Sequence, residues 1–149
     1  MTPTTDFSDP KLEISSFIRE VFGYLKRFKG QLFVLKIEDS LMDNPLFPVL
    51  VRDIALLHDA GVKILIVPGT RASIDRQLNA WGTETHFKGG VRLTSEDALP
   101  LIEQASLGVA QRIMSLLTGS GCRGIQGNWV VARSLGIIDG VDFMRTGRI

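Results

Sequence analysis

Three short segments carry side chains that could bind or transfer an anionic group. In the first, Leu35–Asn44 (LKIEDSLMDN), Lys36 interrupts an apolar run and is followed by Glu38 and Asp39. A strand that delivers a lysine to a loop can contact a phosphate, but such a loop uses glycines so that backbone N–H groups approach the ligand. Two carboxylates would instead repel a phosphate. The segment therefore indicates either a phosphoryl-transfer site or the remains of one with another use.

Lys36 also has a simpler interpretation, in which its side chain extends from a strand end into solvent. It interrupts an otherwise apolar strand near the C-terminal end, where α/β sheets bind ligands. We therefore favour a ligand-binding role for Lys36.

The second and third segments offer further groups for an anion. Gly69, Thr70 and Arg71 follow an apolar run and open a helix, whose free N–H groups would suit a carboxylate or phosphate. A tight turn also needs the glycine, so the two interpretations of this segment are equal. Arg92 follows two glycines, and its guanidinium could hold a carboxylate through two parallel bonds. The alternative for Arg92 is a surface cation.

Other candidate motifs fail on their context. Residues 119–124 spell G-x-G-x-x-G, but a predicted helix precedes them and a strand follows, the reverse of a dinucleotide-binding turn. Cys122 has no histidine near it in sequence, so nothing supports a nucleophile. His58 and His86 lack Cys or His partners at ligand spacing, so we expect no metal site.

The composition is that of one soluble globular domain. The 149 residues include 44% hydrophobic and 22% charged residues, and the net charge is +1. That balance predicts no nucleic-acid partner, and no apolar run is long enough for a membrane span. The single cysteine and the absence of a signal pattern at the N-terminus favour the cytoplasm.

The hydrophobic pattern predicts a parallel strand–helix–strand unit behind an N-terminal helix. The first helix begins at a cap, Asp9, and a first-turn Pro10. Its apolar stripe consists of Ile14, Phe17, Ile18, Val21, Leu25 and Phe28. Two apolar runs, Leu32–Ile37 and 62–67, predict strands buried on both faces. The helix between them is expected to start at Asn44 and Pro45.

The rest of the chain predicts shorter elements. The first is a helix marked by Ile74, Leu78 and Trp81 and closed by Gly82, which is followed by a strand or hairpin arm at 89–93. A capping box of Thr94 and Asp97 then precedes a long helix that Pro100 kinks or delays. A strand at 129–132 and a turn at 138–141 complete the set. The last residues, 146–149, look like the beginning of an element, so we expect the chain to be part of a longer protein.

Together these segments resemble the amino-acid kinase family, and more closely the kinase-like N-terminal domains of N-acetylglutamate synthases. The resemblance rests on five segments in order, YLKRFKGQLFVLK, FVLKIED, VPGTRASID, GGVRLTSEDAL and ARSLGIIDGVDFMRTGRI. It implies an α/β fold, a three-layer sandwich with a mostly parallel central sheet. It also implies two parts, an N-terminal extension and helix (1–30) and the first part of a kinase-like domain (31–149), with the second lobe and an acetyltransferase domain absent.

The resemblance further implies a regulatory and assembly role without catalytic residues in this chain. Carried over by position, the degenerate ligand site consists of Lys36, Gly69, Thr70, Arg71 and Arg92. Glu38 and Asp39 stand where kinases have two glycines. This chain is expected to need no cofactor, whereas acetyl-CoA is implied for the full-length protein. Arginine is implied as an effector, and subunits are implied to assemble through the N-terminal helix.

Two other functions stay open at this point. The first is an acetylglutamate-kinase-like phosphotransferase with an unusual loop. The second is a stand-alone module that senses an amino acid.

Overall fold

The computed structural model describes residues 10–127 and 129–148, so the predicted cap Asp9 lies outside the described residues. The helices are α1 Pro10–Phe28, a 3₁₀ helix Asp39–Asp43, α2 Phe47–Asp59, α3 Arg71–Ala80 and α4 Leu99–Gly119. The strands are β1 Leu32–Ile37, β2 Lys63–Pro68, β3 His86–Lys88, β4 Val91–Leu93, β5 Arg133–Ser134, β6 Ile137–Ile138, β7 Val141–Asp142 and β8 Gly147–Arg148.

The predicted strand–helix–strand unit is confirmed. β1 and β2 pair in parallel, from Leu32 opposite Lys63 to Ile37 opposite Pro68, and α2 connects them. A parallel pair needs such a crossover because its strands start at the same edge of the sheet. The mixed α/β class with parallel strands is therefore correct. The pair also places the C-terminal ends of both strands, and the loops that follow them, side by side.

The core lies between one face of this sheet and the helices α2 and α4. Its buried members are Ile37, Met42, Phe47, Val51, Ile54, Val109, Ile113 and Leu117. Leu35, Ile64 and Ile66 of the strands pack against this cluster. The helix residues recur at three- and four-residue steps, which brings them onto one face of each helix. Burial of this apolar area is the main contribution to folding.

The prediction that both strands are buried on both faces is wrong for the described chain. Side chains alternate along a strand, so Leu32 and Val34 point away from the core, and each is 60% exposed. Their neighbour Val67 on β2 is 44% exposed. A continuous apolar run indicates burial on two sides only when helices cover both, and here α2 and α4 cover one.

The second helix starts later than its sequence pattern predicts. α2 begins at Phe47, and Pro48 occupies its first turn. Asn44 instead ends the 3₁₀ helix, and its side-chain oxygen accepts a hydrogen bond from the Leu46 N–H at 2.9 Å. The Asn-Pro pair therefore shapes the turn before the helix, because an Asn side chain bonds readily to the backbone two residues on.

The start of α4 differs in a similar way. The predicted capping box of Thr94 and Asp97 does not form, because the Thr94 N–H donates to the Thr146 hydroxyl instead. The Ser95 hydroxyl accepts from the Ala98 N–H at 3.2 Å. The helix starts at Leu99, which places Pro100 in the first turn, so the predicted late start is confirmed.

The C-terminal region forms small antiparallel pairs. The predicted strand at 129–132 is wrong, because the structure shows no strand there and pairs β5 with β8 instead. The turn at 138–141 is confirmed between β6 and β7, with Asp139 and Gly140 at positive φ. Thr146 ties this region to β4, because its hydroxyl donates to the Arg92 carbonyl at 2.6 Å.

Helix α1 leaves most of its apolar stripe exposed. Ile14, Phe17, Ile18 and Val21 are between 38% and 66% exposed, whereas Phe28 at the helix end packs edge-on against Phe33 of β1. The stripe therefore does not cover this chain's own core. None of the helices in residues 10–127 and 129–148 combines the length and the apolar character that a membrane span requires.

Candidate functional site: a cleft at the strand ends

All five predicted site residues line one open cleft at the C-terminal ends of β1 and β2. The cleft has a volume of about 470 Å³. Its predicted members are Lys36, Gly69, Thr70, Arg71 and Arg92, and the remaining lining residues are Glu38, Pro68, Ile74, Phe87 and Gly90. The loop after β1, the turn before α3 and the β3–β4 hairpin thus meet here, at the edge where α/β sheets bind ligands.

Lys36, the candidate phosphate ligand, is paired with an internal carboxylate. Its ammonium lies 2.8 Å from Glu38 Oε1, and both side chains are largely exposed. The hydrogen bond and the charge of Glu38 raise the pKa of Lys36 above its ordinary value. A phosphate that approached Lys36 would therefore also meet the carboxylate of Glu38, which repels it.

Glu38 fills the space that Gly69 leaves open. A Cβ atom added to Gly69 would collide with the Glu38 carboxylate and would lie 3.1 Å from its Cα. The two segments approach so closely because the Gly69 N–H donates to the Ile37 carbonyl at 2.6 Å, which extends the pairing of β1 and β2 into the turn. Gly69 is thus needed for packing against Glu38, whatever ligand the cleft holds.

This contact predicts a coupling between the two positions. We expect Gly69→Ala to lower the free energy of unfolding by about 1–3 kcal/mol, because it overpacks the turn. The loss should shrink in a Glu38→Gly background, with a coupling energy of about 0.5 kcal/mol or more in a double-mutant cycle from urea unfolding. Gly108→Ala is the control, since nothing lies within 4 Å of its added Cβ. A coupling energy of zero would contradict the contact.

Asp39, the other carboxylate after Lys36, does not face the cleft but is buried at the start of α3. It is 3% exposed. One oxygen accepts from the Ser73 N–H at 2.5 Å, and the other accepts a longer bond of 3.4 Å from the Ala72 N–H. The N–H groups that were expected to be free for a ligand at this helix start are therefore taken by the protein's own carboxylate.

The hydrogen bonds determine the charge state of Asp39. Burial alone would raise the pKa of Asp39, but the bonds from Ser73 and Ala72 outweigh it and hold the pKa below its ordinary value of 3.8. Asp39 is thus ionised at neutral pH. Its negative charge lies at the positive end of the α3 dipole, where a bound anion would otherwise be stabilised.

Only one of the two terminal nitrogens of Arg92 has a hydrogen-bond partner in the described part of the chain. Its Nη2 donates to Asp75 Oδ1 at 2.5 Å, and its guanidinium lies 4.9 Å from the centre of the Phe87 ring. Its Nη1 is buried without a hydrogen-bond partner among the described residues. A buried donor of this kind is costly unless an acceptor reaches it. One arm of the fork expected to hold a carboxylate therefore has no acceptor within residues 10–127 and 129–148.

Arg71 supplies the second cation at the mouth of the cleft. Its guanidinium lies 5.5 Å from the centre of the Phe87 ring, so the two arginines share this ring. Arg71 forms no ion pair within residues 10–127 and 129–148. It is exposed, and its charge is therefore available to a carboxylate in the cleft.

A second set of charges fixes the loop behind the cleft. Asp43, at the end of the 3₁₀ helix, lies 3.1 Å from both Arg112 of α4 and Arg76 of α3. The hydrogen bonds from Arg112 and Arg76 lower the pKa of Asp43. Arg112 also donates to the Met42 carbonyl at 2.7 Å. The segment that carries Glu38 and Asp39 is thereby held against two helices.

Sequence reasoning missed Asp75 and Phe87, which hold Arg92 in place. Asp75 lies four residues after Arg71, so the two side chains share one face of the predicted helix, and this spacing could have pointed to Asp75. Phe87 reaches the cleft because it pairs with Arg92 across the β3–β4 hairpin, and only the pairing shows that. Within the described residues no group of three or more His, Cys, Asp or Glu side chains could hold a metal ion.

Cys122 is half-buried beside the core. Burial, with Asp59 nearby, raises the pKa of its thiol. A raised pKa disfavours the reactive thiolate. The structure therefore adds nothing in favour of a nucleophile at this position.

This combination of fold and cleft agrees with a comparison of sequences. The chain belongs to the amino acid kinase family, whose pattern matches residues 31–147. Two curated relatives are both called amino-acid acetyltransferase. The one from Pectobacterium carotovorum subsp. carotovorum (strain PC1) is 33% identical over 146 residues, and the one from Escherichia coli (strain K12) is 32% identical over 148 residues.

Solved structures point to the same group. N-acetylglutamate synthase from Neisseria gonorrhoeae, complexed with coenzyme A and N-acetyl-glutamate, superposes with a TM-score of 0.78 at 30% identity over 89% of this chain. The same enzyme complexed with coenzyme A and L-arginine gives 0.77 at 29% identity over 90%. The predicted resemblance to the amino-acid kinase family and to N-acetylglutamate synthases is confirmed.

The match covers most of this chain but a minor part of each relative. The chain aligns over 92% and 93% of its length with the two acetyltransferases, and this is 33% of each of them. It covers 31% and 34% of the two synthase structures. The chain thus spans about a third of the length of the relatives it matches.

Proposed function

We propose that this chain is the regulatory and assembly part of an N-acetylglutamate synthase, which transfers acetyl from acetyl-CoA to L-glutamate in the first step of arginine biosynthesis. In this proposal the chain itself is not catalytic. Residues 1–30 form an assembly segment with its helix, and residues 31–149 belong to a kinase-like lobe. Arginine is an effector of the full-length protein. Acetyl-CoA is needed only by that protein. The lone Cys122 fits the reducing cytoplasm.

The observation that carries the proposal is that Glu38 occupies the anion position beside Lys36 in the cleft, and that Asp39, buried below the cleft, occupies the one at the start of α3. Glu38 neutralises Lys36 and occupies the space beside Gly69. Asp39 takes the N–H groups at the start of α3. Catalysis of phosphoryl transfer consists mostly of positioning and electrostatic stabilisation of a phosphate, and both carboxylates oppose this.

The experiment is a pair of turnover assays. We expect the 149-residue chain to release no ADP from magnesium-ATP with N-acetylglutamate, and no coenzyme A from acetyl-CoA with glutamate. The polypeptide from the complete reading frame should release coenzyme A in the presence of glutamate, and arginine should change that rate. ADP release by either polypeptide would favour the kinase-like alternative. A complete frame that shows neither activity would leave the stand-alone sensing module.

The cleft is proposed to keep the ability to bind a carboxylate. The buried Nη1 of Arg92 lacks an acceptor among the described residues, and the nearby Arg71 carries no ion pair there. A volume of about 470 Å³ is in the usual range for a small-molecule site. The degenerate site of Lys36, Gly69, Thr70, Arg71 and Arg92 is therefore proposed as a ligand site and not as a catalytic one.

Helix α1 is proposed to join subunits. Its exposed stripe includes Phe17 at 66% and Ile18 at 46% exposure, so the described part of the chain leaves a row of large apolar side chains uncovered. A second copy that presents the same stripe would bury both, and such self-complementary contacts are the commonest way to form a dimer.

This assembly predicts a change in sedimentation. We expect the wild-type chain to sediment as an oligomer that dissociates on dilution, and Ile18→Glu to sediment as a monomer over the same range, because a buried unpaired charge is strongly unfavourable. Ser16→Glu, on the opposite side of the helix, should behave as wild type. A wild-type chain that stays monomeric at high concentration would rule out assembly through α1.

A further inference from the structure

The cleft combines its cations with one acidic group that faces the ligand space. Glu38 is half exposed, lines the cleft and bonds Lys36 through Oε1. An ionised carboxylate has about four acceptor positions, so one lysine does not saturate it. The other ion pair of the site, between Arg92 and Asp75, involves an aspartate that does not line the cleft.

From this distribution of charge we propose that the cleft selects amino acids with a free α-ammonium group over their N-acylated forms, and that Glu38 makes the selection. The inference rests on the proposed function, because it requires that the cleft binds a carboxylate ligand. The ammonium donates to Glu38, whereas the ligand carboxylate meets Arg71 and Arg92, whose buried Nη1 lacks an acceptor among the described residues. An N-acyl group removes the positive charge that Glu38 recognises.

The pair of Lys36 and Glu38 does not prevent this binding. The Lys36 side chain is 71% exposed, so it can move into solvent at little cost, and an exposed ion pair of this kind contributes little to stability. A ligand ammonium held in the cleft replaces a flexible lysine with a positioned donor. It also brings a carboxylate to the arginines, which Lys36 cannot do.

An acylated ligand meets the opposite situation. Its amide N–H is neutral and gives a weaker hydrogen bond than an ammonium does to a carboxylate. Because acylation removes the ammonium charge, the ligand is one unit more negative than the free amino acid and is attracted less by Glu38. Gly69 provides no room to move Glu38 aside in that direction, because the Glu38 carboxylate already lies against its backbone.

The test compares ligands that differ only at the amine. Calorimetric titrations would use L-glutamate against N-acetyl-L-glutamate and L-arginine against N-acetyl-L-arginine, with wild type, Glu38→Gln and Glu103→Gln. Glu103 is an exposed residue of α4 that does not line the cleft. Circular dichroism establishes that each variant is folded.

We expect wild type to bind at least one free amino acid about tenfold or more tightly than its acetylated form, which corresponds to about 1.4 kcal/mol. Glu38→Gln should remove that preference, and Glu103→Gln should keep it. Equal or tighter binding of the acetylated form would overturn the selection by Glu38. A preference that survives Glu38→Gln would overturn it as well. Either result would leave a carboxylate site in place. Binding of none of the four ligands overturns the ligand site itself.

Discussion

Replacement of Asp39 by alanine is expected to lower the free energy of unfolding by about 2 kcal/mol, near the upper end for the loss of a helix cap. The effect is large because Asp39 is buried and accepts from the Ser73 and Ala72 N–H groups, which then lose their partner inside the protein. Asp97→Ala is the matched control. Asp97 is exposed and was predicted as a cap that does not form, so its loss should stay within about 0.5 kcal/mol.

The contribution of Asp39 should depend on pH in a defined direction. Its pKa is lowered in the folded state, so its stabilisation is fully present above the unfolded pKa of about 3.9 and is lost as the pH falls through the folded value. The measurement is urea unfolding of wild type and Asp39→Ala between pH 7 and pH 3. The difference in free energy of unfolding between wild type and Asp39→Ala should become smaller only below about pH 4.

A second readout separates capping from simple burial. Removal of the carboxylate frees N–H groups at the positive end of α3, which is a favourable place for an anion. Sulfate or phosphate should therefore raise the melting temperature of Asp39→Ala more than that of wild type. Two results together would show that Asp39 does not occupy an anion position. The anions would raise both melting temperatures equally, and Asp39→Ala would lower the free energy of unfolding no more than Asp97→Ala does.

Replacement of Phe47 by alanine is expected to cost about 3–5 kcal/mol, a large share of the 5–15 kcal/mol of an ordinary domain. Phe47 is 2% exposed and begins α2. It belongs to the cluster that joins α2 and α4 to Ile37, the residue before the Glu38 turn. The cavity left by the ring therefore lies in the core cluster that also contains Ile37.

The control for Phe47 is its neighbour in sequence. Leu46→Ala changes a side chain that is 68% exposed, so we expect a loss within about 0.5 kcal/mol. Both free energies come from urea unfolding at one pH. A loss below about 1 kcal/mol for Phe47→Ala would contradict the packing of α2 on this face of the sheet.

The two carboxylates after Lys36 have separate roles, and this bears on how a kinase-like site loses its activity. Glu38 acts within the cleft by pairing with Lys36. Asp39 acts below it as part of the fold, at the start of α3. Glu38→Gly alone would therefore free Lys36 without harm to the helix, whereas Asp39→Gly would weaken the element that carries Thr70 and Arg71.

The sequence determined the elements whose causes are local. Apolar spacing placed α2, α4 and the parallel strands. The strand or hairpin arm predicted at 89–93 contains β4, Val91–Leu93. Three ordered segments were enough to collect Lys36, Gly69 and Arg92 at one site. The helix starts at Asn44 and Thr94 were mispredicted, because Asn44 bonds to a turn and Thr94 bonds to Thr146, 52 residues away.

Only the tertiary structure decided what each charged group does. The sequence shows Glu38 and Asp39 as neighbours with the same chemistry, but successive residues point in different directions, so one faces the cleft and the other is buried. The pairing of Arg92 with Asp75, and the exposed faces of β1 and α1, also depend on which elements come together. The burial of Asp39 beneath α3 and the pairing of Arg92 with Asp75 come from contacts between separate elements, which the periodicity of a single segment does not specify.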